Sequence, residues 1–254
     1  MTNFNAPVFH VTETDSTNNY LNVLSLKENP EEFTVITADF QTAGKGQRGK
    51  GWESEAGKNL LFSMVMYPAF LKPRKQFLLS QTIALAIKEE LDTFSGGFSI
   101  KWPNDIYWRE KKICGILIEN ELLGDAIKKS VAGIGININQ EQFHSSAPNP
   151  VSLRQITGKP QRKDYILGHV IDRIMENYTL LKEGKTELLT ERYHNALYRK
   201  EGMYPYRDNS GDFMARIVCV RPEGTLMLKD EKGNERGYAF KEVQYVPVHP
   251  ANTF

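Results

Sequence analysis

Cysteine is scarce: Cys114 and Cys219 are the only two in a chain of 254 residues. Two thiols are too few for a disulfide framework and do not stand in metal-ligand spacing, so neither a stapled scaffold nor a cysteine metal site is expected. The histidines, at 10, 144, 169, 194 and 249, also lack ligand spacing, and no structural zinc is expected. No uncharged apolar run approaches the roughly 18 residues that a spanning helix needs. The opening MTNFNAPVFHVTETD has no basic stretch followed by an apolar one. Neither an export signal nor a membrane span is therefore expected, and a cytoplasmic setting fits. An excess of one charge is missing as well, because 32 Lys and Arg face 31 Asp and Glu for a formal net charge of +1. No global field draws the chain to nucleic acid or to an anionic membrane, so basic character has to be sought locally.

What remains is an ordinary globular composition, 40% hydrophobic and 25% charged, in a chain long enough for one large core with a smaller appendage. FTVITA from Phe33 to Ala38 is rich in β-branched residues, and LLFSMVMY from Leu60 to Tyr67 is apolar almost throughout. Both read as strands, the second buried on two faces. From Gln76 to Phe94 apolar residues recur at helical spacing until Gly96-Gly97 stops them. Phe98 to Lys101, Ile113 to Glu119 and Val131 to Ile138 read as three strands of a meander, and residues 140 to 164 lack clear periodicity. Ile166 to Leu181 and Leu189 to Leu197 carry two more helical patterns. After Glu201-Gly202 the texture changes to short strand-like runs, which predicts a small all-β domain, with a five-strand SH3-like barrel as the common solution at that size. The expected division is 1–201 and 202–254.

AGKGQRGKGW, from Ala43 to Trp52, joins two of these strands. Gly44, Gly46, Gly49 and Gly51 let backbone N–H groups turn inward, and Lys45, Arg48 and Lys50 add charge around the same concavity. That composition suits a phosphate cradle and equally a solvated basic turn. Trp52, a large ring directly after a flexible loop, tips the reading toward a ligand. Gly44 to Lys50 also matches the first part of a Walker A sequence, but Gly51 has no hydroxyl for magnesium and the chain leads on into a strand. A loop folding over a nucleotide is expected rather than a P-loop beneath one.

KWPNDIYWREKKICGILIEN, from Lys101 to Asn120, sets Asn104 and Asp105 after a stiff Trp-Pro turn and Lys112 just before a strand that contains Gly115. A rigid support suits ligand or metal positioning, although a plain hairpin with a Pro-Asn-Asp turn reads the same way. Cys114 is expected to be a small buried apolar residue without redox work.

Taken in order, Ser16-Thr17-Asn18, QTAGKGQRGKGW from Gln41, KWPND from Lys101, KKICGILIE from Lys111 and GIGININ from Gly133 resemble the biotin-protein ligase family. The resemblance spans roughly residues 10 to 200. It implies an α/β (α+β) fold: a mixed-sheet catalytic domain like that of class II aminoacyl-tRNA synthetases, followed by a C-terminal SH3-like β-barrel. Larger members place a helix-turn-helix ahead of the Ser-Thr-Asn motif, which here begins fifteen residues from the start. The short form is expected, and DNA binding is not carried over. The family's usual G-R-G-R reads Gly44-Lys45-Gly46-Gln47 here, with arginine next at Arg48. Lys45 keeps the charge without the planar fork and Gln47 loses it, which leaves open how firmly an activated intermediate is retained.

The implied activity has two steps: biotin and ATP give biotinyl-5'-adenylate and pyrophosphate, then a lysine of a biotin carboxyl carrier protein attacks. A carboxylate with a pKa of about 4 needs no base for the first step but does need its charge neutralised. The resemblance gives that task to Lys112, with Lys45, Arg48 and the loop amides on the phosphates and Mg²⁺ beside Asp105. Ser16, Thr17, Asn18, Gln41, Lys112 and Gly115 are the expected biotin contacts. Gly44, Lys45, Gly46, Gln47, Arg48, Gly49, Trp52, Lys101, Asn104, Gly135 and Asn137 are those for ATP and the adenylate. Ser-Thr-Asn also reads as a helix cap before NYLNVLSL. An acceptor amine with a reference pKa of about 10.4 needs a base, for which Asp105 is the candidate together with Lys112 and Arg48 as catalytic groups. A lipoate ligase and a nucleic-acid-binding module with Trp52 stacked on a base are the rival readings. The carrier and the choice between monomer and homodimer stay open.

Overall fold

The computed structural model describes residues 6–46, 51–144 and 149–247. The larger of its two sheets has seven strands in the order β1 (Val8–Thr14), β2 (Val35–Gln41), β3 (Leu60–Met66), β7 (Ala126–Ile136), β6 (Lys111–Leu123), β5 (Asp105–Trp108) and β4 (Phe98–Lys101). The β1/β2 pair is parallel and the others are antiparallel, so the sheet is mixed. LLFSMVMY supplies β3, whose residues are all buried, as an apolar central strand covered on both faces requires. Met64, Phe62 and Leu60 face a core shared with the helices α2 (Phe77–Asp92), α4 (Lys163–Lys182) and α5 (Thr186–Asn195). On the opposite face α1 (Thr17–Lys27) seats Leu21 against Ile36, Val65 and Val131.

The three-strand meander expected between Phe98 and Ile138 is corrected to four strands, because DIYW forms β5 between the Pro-Asn-Asp turn and β6. β1 had no sequence signal as a strand, since its side chains are nearly all exposed at the sheet edge and carry no burial alternation. The aperiodic stretch from 140 to 164 holds a short helix, α3 (Leu153–Thr157), begun by a capping box in which Ser152 and Gln155 bond reciprocally. Ser16 stands at the N-cap of α1, where the Ser-Thr-Asn reading put a helix start, although its hydroxyl makes no cap bond.

Residues 204–245 hold five antiparallel strands in the order β11 (Glu235–Tyr238), β10 (Leu226–Asp230), β9 (Gly211–Val220), β8 (Tyr204–Asp208) and β12 (Gln244–Tyr245). This sheet meets the first through Trp102, whose indole donates to Gly224 O at 2.9 Å and whose ring lies edge-on to Phe240. The 196–198 segment also caps the edge strand β4, with Ile100 N donating to Ala196 O and Tyr198 N to Ile100 O, each at 2.8 Å. No helix of the described residues is long and apolar enough to cross a membrane.

Candidate active site

Strand register decides which side chains share a face. Ala38, Leu61, Gly135, Gly115, Asp105 and Lys101 form one row across the large sheet, and Ile36, Ser63, Gly133 and Leu117 form the row two residues along. Both rows face α1. The glycines leave a floor without side chains, and two groups have closed onto it. A Cβ on Gly135 would stand 2.4 Å from the Trp52 ring, one on Gly115 2.8 Å from it, and one on Gly133 2.2 Å from Asn18 Oδ1. Only glycine fits beneath either group.

The half under α1 is built mainly from uncharged polar side chains, with the Glu119 carboxylate bonded to Asn18. Thr17 N donates to Gln41 Oε1 at 2.8 Å, and the Thr17 hydroxyl reaches the same oxygen at 3.0 Å. Ser63 Oγ lies 2.7 Å from Thr17 Oγ1 and 2.6 Å from Asn18 Oδ1. Asn18 Nδ2 donates to Glu119 at 2.8 Å, so both ends of this buried amide are held within the protein. Gln41 differs. Its oxygen is taken by Thr17, while its NH₂ has no protein partner among the described residues and stays available to a ligand. Ser16 is buried at the same corner. Ser63 and Glu119 were missed by sequence reasoning; a lone serine in an apolar strand buried on both faces was the available signal, since such a hydroxyl must find a partner.

The half on β4, β5 and β6 is charged. Lys112 Nζ lies 2.7 Å from Asp105 Oδ1 and 5.6 Å from the centroid of the Trp52 ring. Lys101, the register partner of Asp105, points its amine at the Tyr107 hydroxyl, 3.0 Å away. Burial pulls the Lys101 pKa below the ordinary lysine value, with Asp105 acting in the opposite direction. Asn104 is tied down, its Nδ2 donating to Ile116 O at 2.6 Å and its backbone oxygen accepting from Ile116 N at 3.0 Å. Asn137 is buried beyond Gly135, donating to Val151 O at 3.2 Å and leaving Oδ1 without a partner. The Trp52 Nε1 is a second buried orphan. Cys114 is fully buried and burial pushes its thiol pKa up, which fits an inert residue.

The neck of the glycine-lysine loop is zipped by Trp52 N donating to Gly44 O at 2.9 Å and by a bridge between Lys45 and Gly51. A Cβ on Gly44 would meet Trp52 O at 2.7 Å. The Lys45 amine rests on Asn19, which in turn donates to Asp15 and holds that carboxyl below its usual range. Gly46 stands at the described end of the neck. Gln47, Arg48, Gly49 and Lys50 lie outside the described residues. The structure thus brings Thr17, Asn18, Gln41, Trp52, Asp105, Lys112, Gly115 and Gly135 onto one face.

A seven-stranded mixed sheet with helices packed on one side and a glycine-floored site on the other is the class II aminoacyl-tRNA synthetase-like architecture of the biotin protein ligases. The sequence matches the biotin/lipoate A/B protein ligase family over residues 9–137, and the chain belongs to that family. The bifunctional ligase/repressor BirA of Bacillus subtilis is 30% identical over 218 residues, covering 83% of this chain and 66% of that protein. BirA of Escherichia coli is 31% identical over 196 residues, 76% of this chain and 54% of the relative. The chain therefore spans less than two thirds of the length of these relatives. Among solved structures, the biotin protein ligase of Aquifex aeolicus in complex with biotin and ATP superposes with a TM-score of 0.76 at 28% identity, covering 94% of this chain and 99% of that one.

Proposed function

We propose that this protein is an ATP-dependent biotin-protein ligase: it activates biotin as biotinyl-5'-adenylate and transfers it to a lysine of a biotin carboxyl carrier protein. The observation that carries the reading is the juxtaposition, on one glycine-floored face, of a neutral hydrogen-bonding corner and a lysine-rich one. Biotin has a neutral ureido head and an anionic tail, so it asks for both. The Gln41 NH₂ donates to the ureido carbonyl, with Ser16 and Thr17 beside it, while Asn18 sets the shape of the corner. At the other end Lys112 leaves Asp105 to bridge the biotin carboxylate and the α-phosphate, where opposed negative charges meet. Lys45 and Arg48 cover the phosphates. Trp52 walls the cleft, and the unpartnered Asn137 Oδ1 accepts from the adenine amino group.

Magnesium fits as an ion delivered with the nucleotide. No cluster of three or more His, Cys, Asp or Glu side chains occurs among the described residues, and Asp105 offers one carboxylate with Oδ1 already engaged by Lys112. A single carboxylate with phosphate oxygens and water is a common magnesium environment. When bound, the ion lowers the charge of the triphosphate. In the transfer step Asp105 Oδ2, which has no protein partner among the described residues, takes the proton of the incoming amine. Residues 1–201 form the biotin and ATP unit and 202–254 an SH3-like unit. Two free cysteines suit a reducing, cytoplasmic setting.

Incubation with biotin, ATP and magnesium, followed by mass spectrometry, tests the reading. Biotinyl-adenylate is the expected product. Its absence, with lipoyl-adenylate formed from lipoate in its place, would move the chain to the lipoate branch of the family; the polar corner argues against that outcome, because a dithiolane ring leaves the Gln41 donor unpaired.

A further inference from the structure

The two lysines of the charged half are held in opposite ways. Lys112 is paired with a carboxylate at 2.7 Å, whereas Lys101 has no carboxylate within 4.0 Å among the described residues. Its amine is held by aromatic rings: the centroids of Tyr107, Tyr245 and Tyr198 lie 4.3, 5.1 and 5.7 Å away. These rings come from β5, from the segment after α5 and from β12, so one wall belongs to the carboxy-terminal sheet. Arg199 pins the assembly. Its side chain is only 3% exposed, it donates to Val246 O and Tyr198 Oη at 2.9 Å each, and it lies 5.0 and 6.0 Å from the Tyr198 and Tyr245 rings. The nearby Glu110 accepts from the Tyr198 hydroxyl and stands 3.6 Å from Arg199, so its charge is directed to Arg199.

Ring faces attract an ammonium without neutralising it. A cation held this way keeps its charge for an incoming anion, whereas one paired with a carboxylate must first exchange partners. We propose that the carboxy-terminal sheet completes the nucleotide half of the site by caging Lys101, that the anion taken by the caged amine is a phosphate of the nucleotide, and that Tyr245 is a positioning residue acting through its ring. This rests on the reading of the site as ATP-dependent. The Tyr245 hydroxyl is buried and makes no hydrogen bond, so the ring alone carries the contact.

The test compares Tyr245→Leu with Tyr245→Phe by biotin-dependent exchange of pyrophosphate into ATP. Loss of a largely desolvated cation–ring contact should raise the KM for ATP about tenfold in Tyr245→Leu, with the KM for biotin within about twofold of wild type. Tyr245→Phe restores both values. An unchanged ATP KM in the leucine variant, equal shifts for ATP and biotin, or a phenylalanine variant as impaired as the leucine one each overturns the proposal. Should the leucine variant not fold, Tyr107→Phe, which removes the hydrogen bond to the amine and keeps the ring, must raise the ATP KM selectively, and failure to do so counts equally against it. With ¹³C-labelled lysine, the Lys101 Cε signal, assigned by its loss in Lys101→Arg, should be ring-shifted in wild type and Tyr245→Phe and move toward that of an exposed lysine in Tyr245→Leu. This readout needs no turnover: a wild type without biotin-dependent exchange rejects the ligase reading, while an unshifted signal rejects the cage.

Discussion

The face of the large sheet under α1 and the face along β4 to β6 are continuous, yet they treat polar groups differently. Under α1 the two hydroxyl protons of Thr17 and Ser63 serve three contacts, Asn18 is bonded at both ends, and little beyond the Gln41 NH₂ is left over. Along β4 to β6, Asp105 pairs with Lys112 alone, while Lys101 beside it has no carboxylate within 4.0 Å among the described residues, so its positive charge is left over. A satisfied neutral network is rigid and selects by shape and hydrogen-bond pattern. An unsatisfied charged cluster selects by charge and gains most when charge develops during reaction. The difference predicts that substitutions in the two halves separate cleanly in kinetics.

The largest effect is expected at Lys112. Lys112→Ala should reduce biotin-dependent pyrophosphate exchange by roughly 10²–10³ or more, as for removal of a group that stabilises developing charge. An unimpaired exchange rate would erase the distinction between the halves. Gln41→Glu, which trades the free NH₂ donor of this corner for an acceptor, should raise the KM for biotin by about 10- to 100-fold and leave ATP nearly unaffected. A shift in both substrates would mean that the halves are not separable. Gly133→Ala places a Cβ 2.2 Å from Asn18 Oδ1, and Asn18 is held by Ser63 and Glu119. The strain should cost about 1–3 kcal/mol of stability, read as a lower denaturation midpoint; Asn18→Ala in the same background should recover part of it.

The same two halves were unequally legible in the sequence. Lys112, Asp105 and the loop glycines could be named through the resemblance, since by themselves they suit a solvated basic turn or a plain hairpin equally well. Ser63 and Glu119 could not, because their role depends on strand register: Ser63 meets Asn18 only because β3 pairs with β7 at Gly133, a contact across residues far apart in the chain. The tyrosine cage was hidden for the same reason, with Tyr107, Tyr198 and Tyr245 drawn from three separate segments and each an unremarked aromatic alone. Among elements, buried strands and long amphipathic helices were visible from their periodicity. The edge strand β1 and the four-residue β5 were not, since one lacks a buried face and the other is too short to show alternation.

The smallest effect concerns the join between the two sheets, which is where the positioning of the charged half depends on the carboxy-terminal strands. His194, on α5, accepts from Val220 N on β9 at 2.9 Å through Nε2, so the neutral ring is the form that makes this bond. Burial lowers its pKa below the usual 6.5; the Val220 carbonyl, 3.2 Å from the same nitrogen, opposes the shift and Lys200 adds to it. In the unfolded chain the ring takes its proton near 6.5, and in the folded protein only at lower pH. Between those two values the unfolded state binds more protons, so stability is fully present above about 6.5 and declines as pH falls toward the folded pKa. Glu187 and Glu191 line the same shallow depression and can offset part of the change. Thermal melts at intervals from neutral to mildly acidic pH should therefore show a modest decline in wild type. His194→Gln, whose amide oxygen can accept from Val220 without titrating, should flatten that part of the curve; identical slopes in the two proteins would place the pH sensitivity elsewhere than at this join.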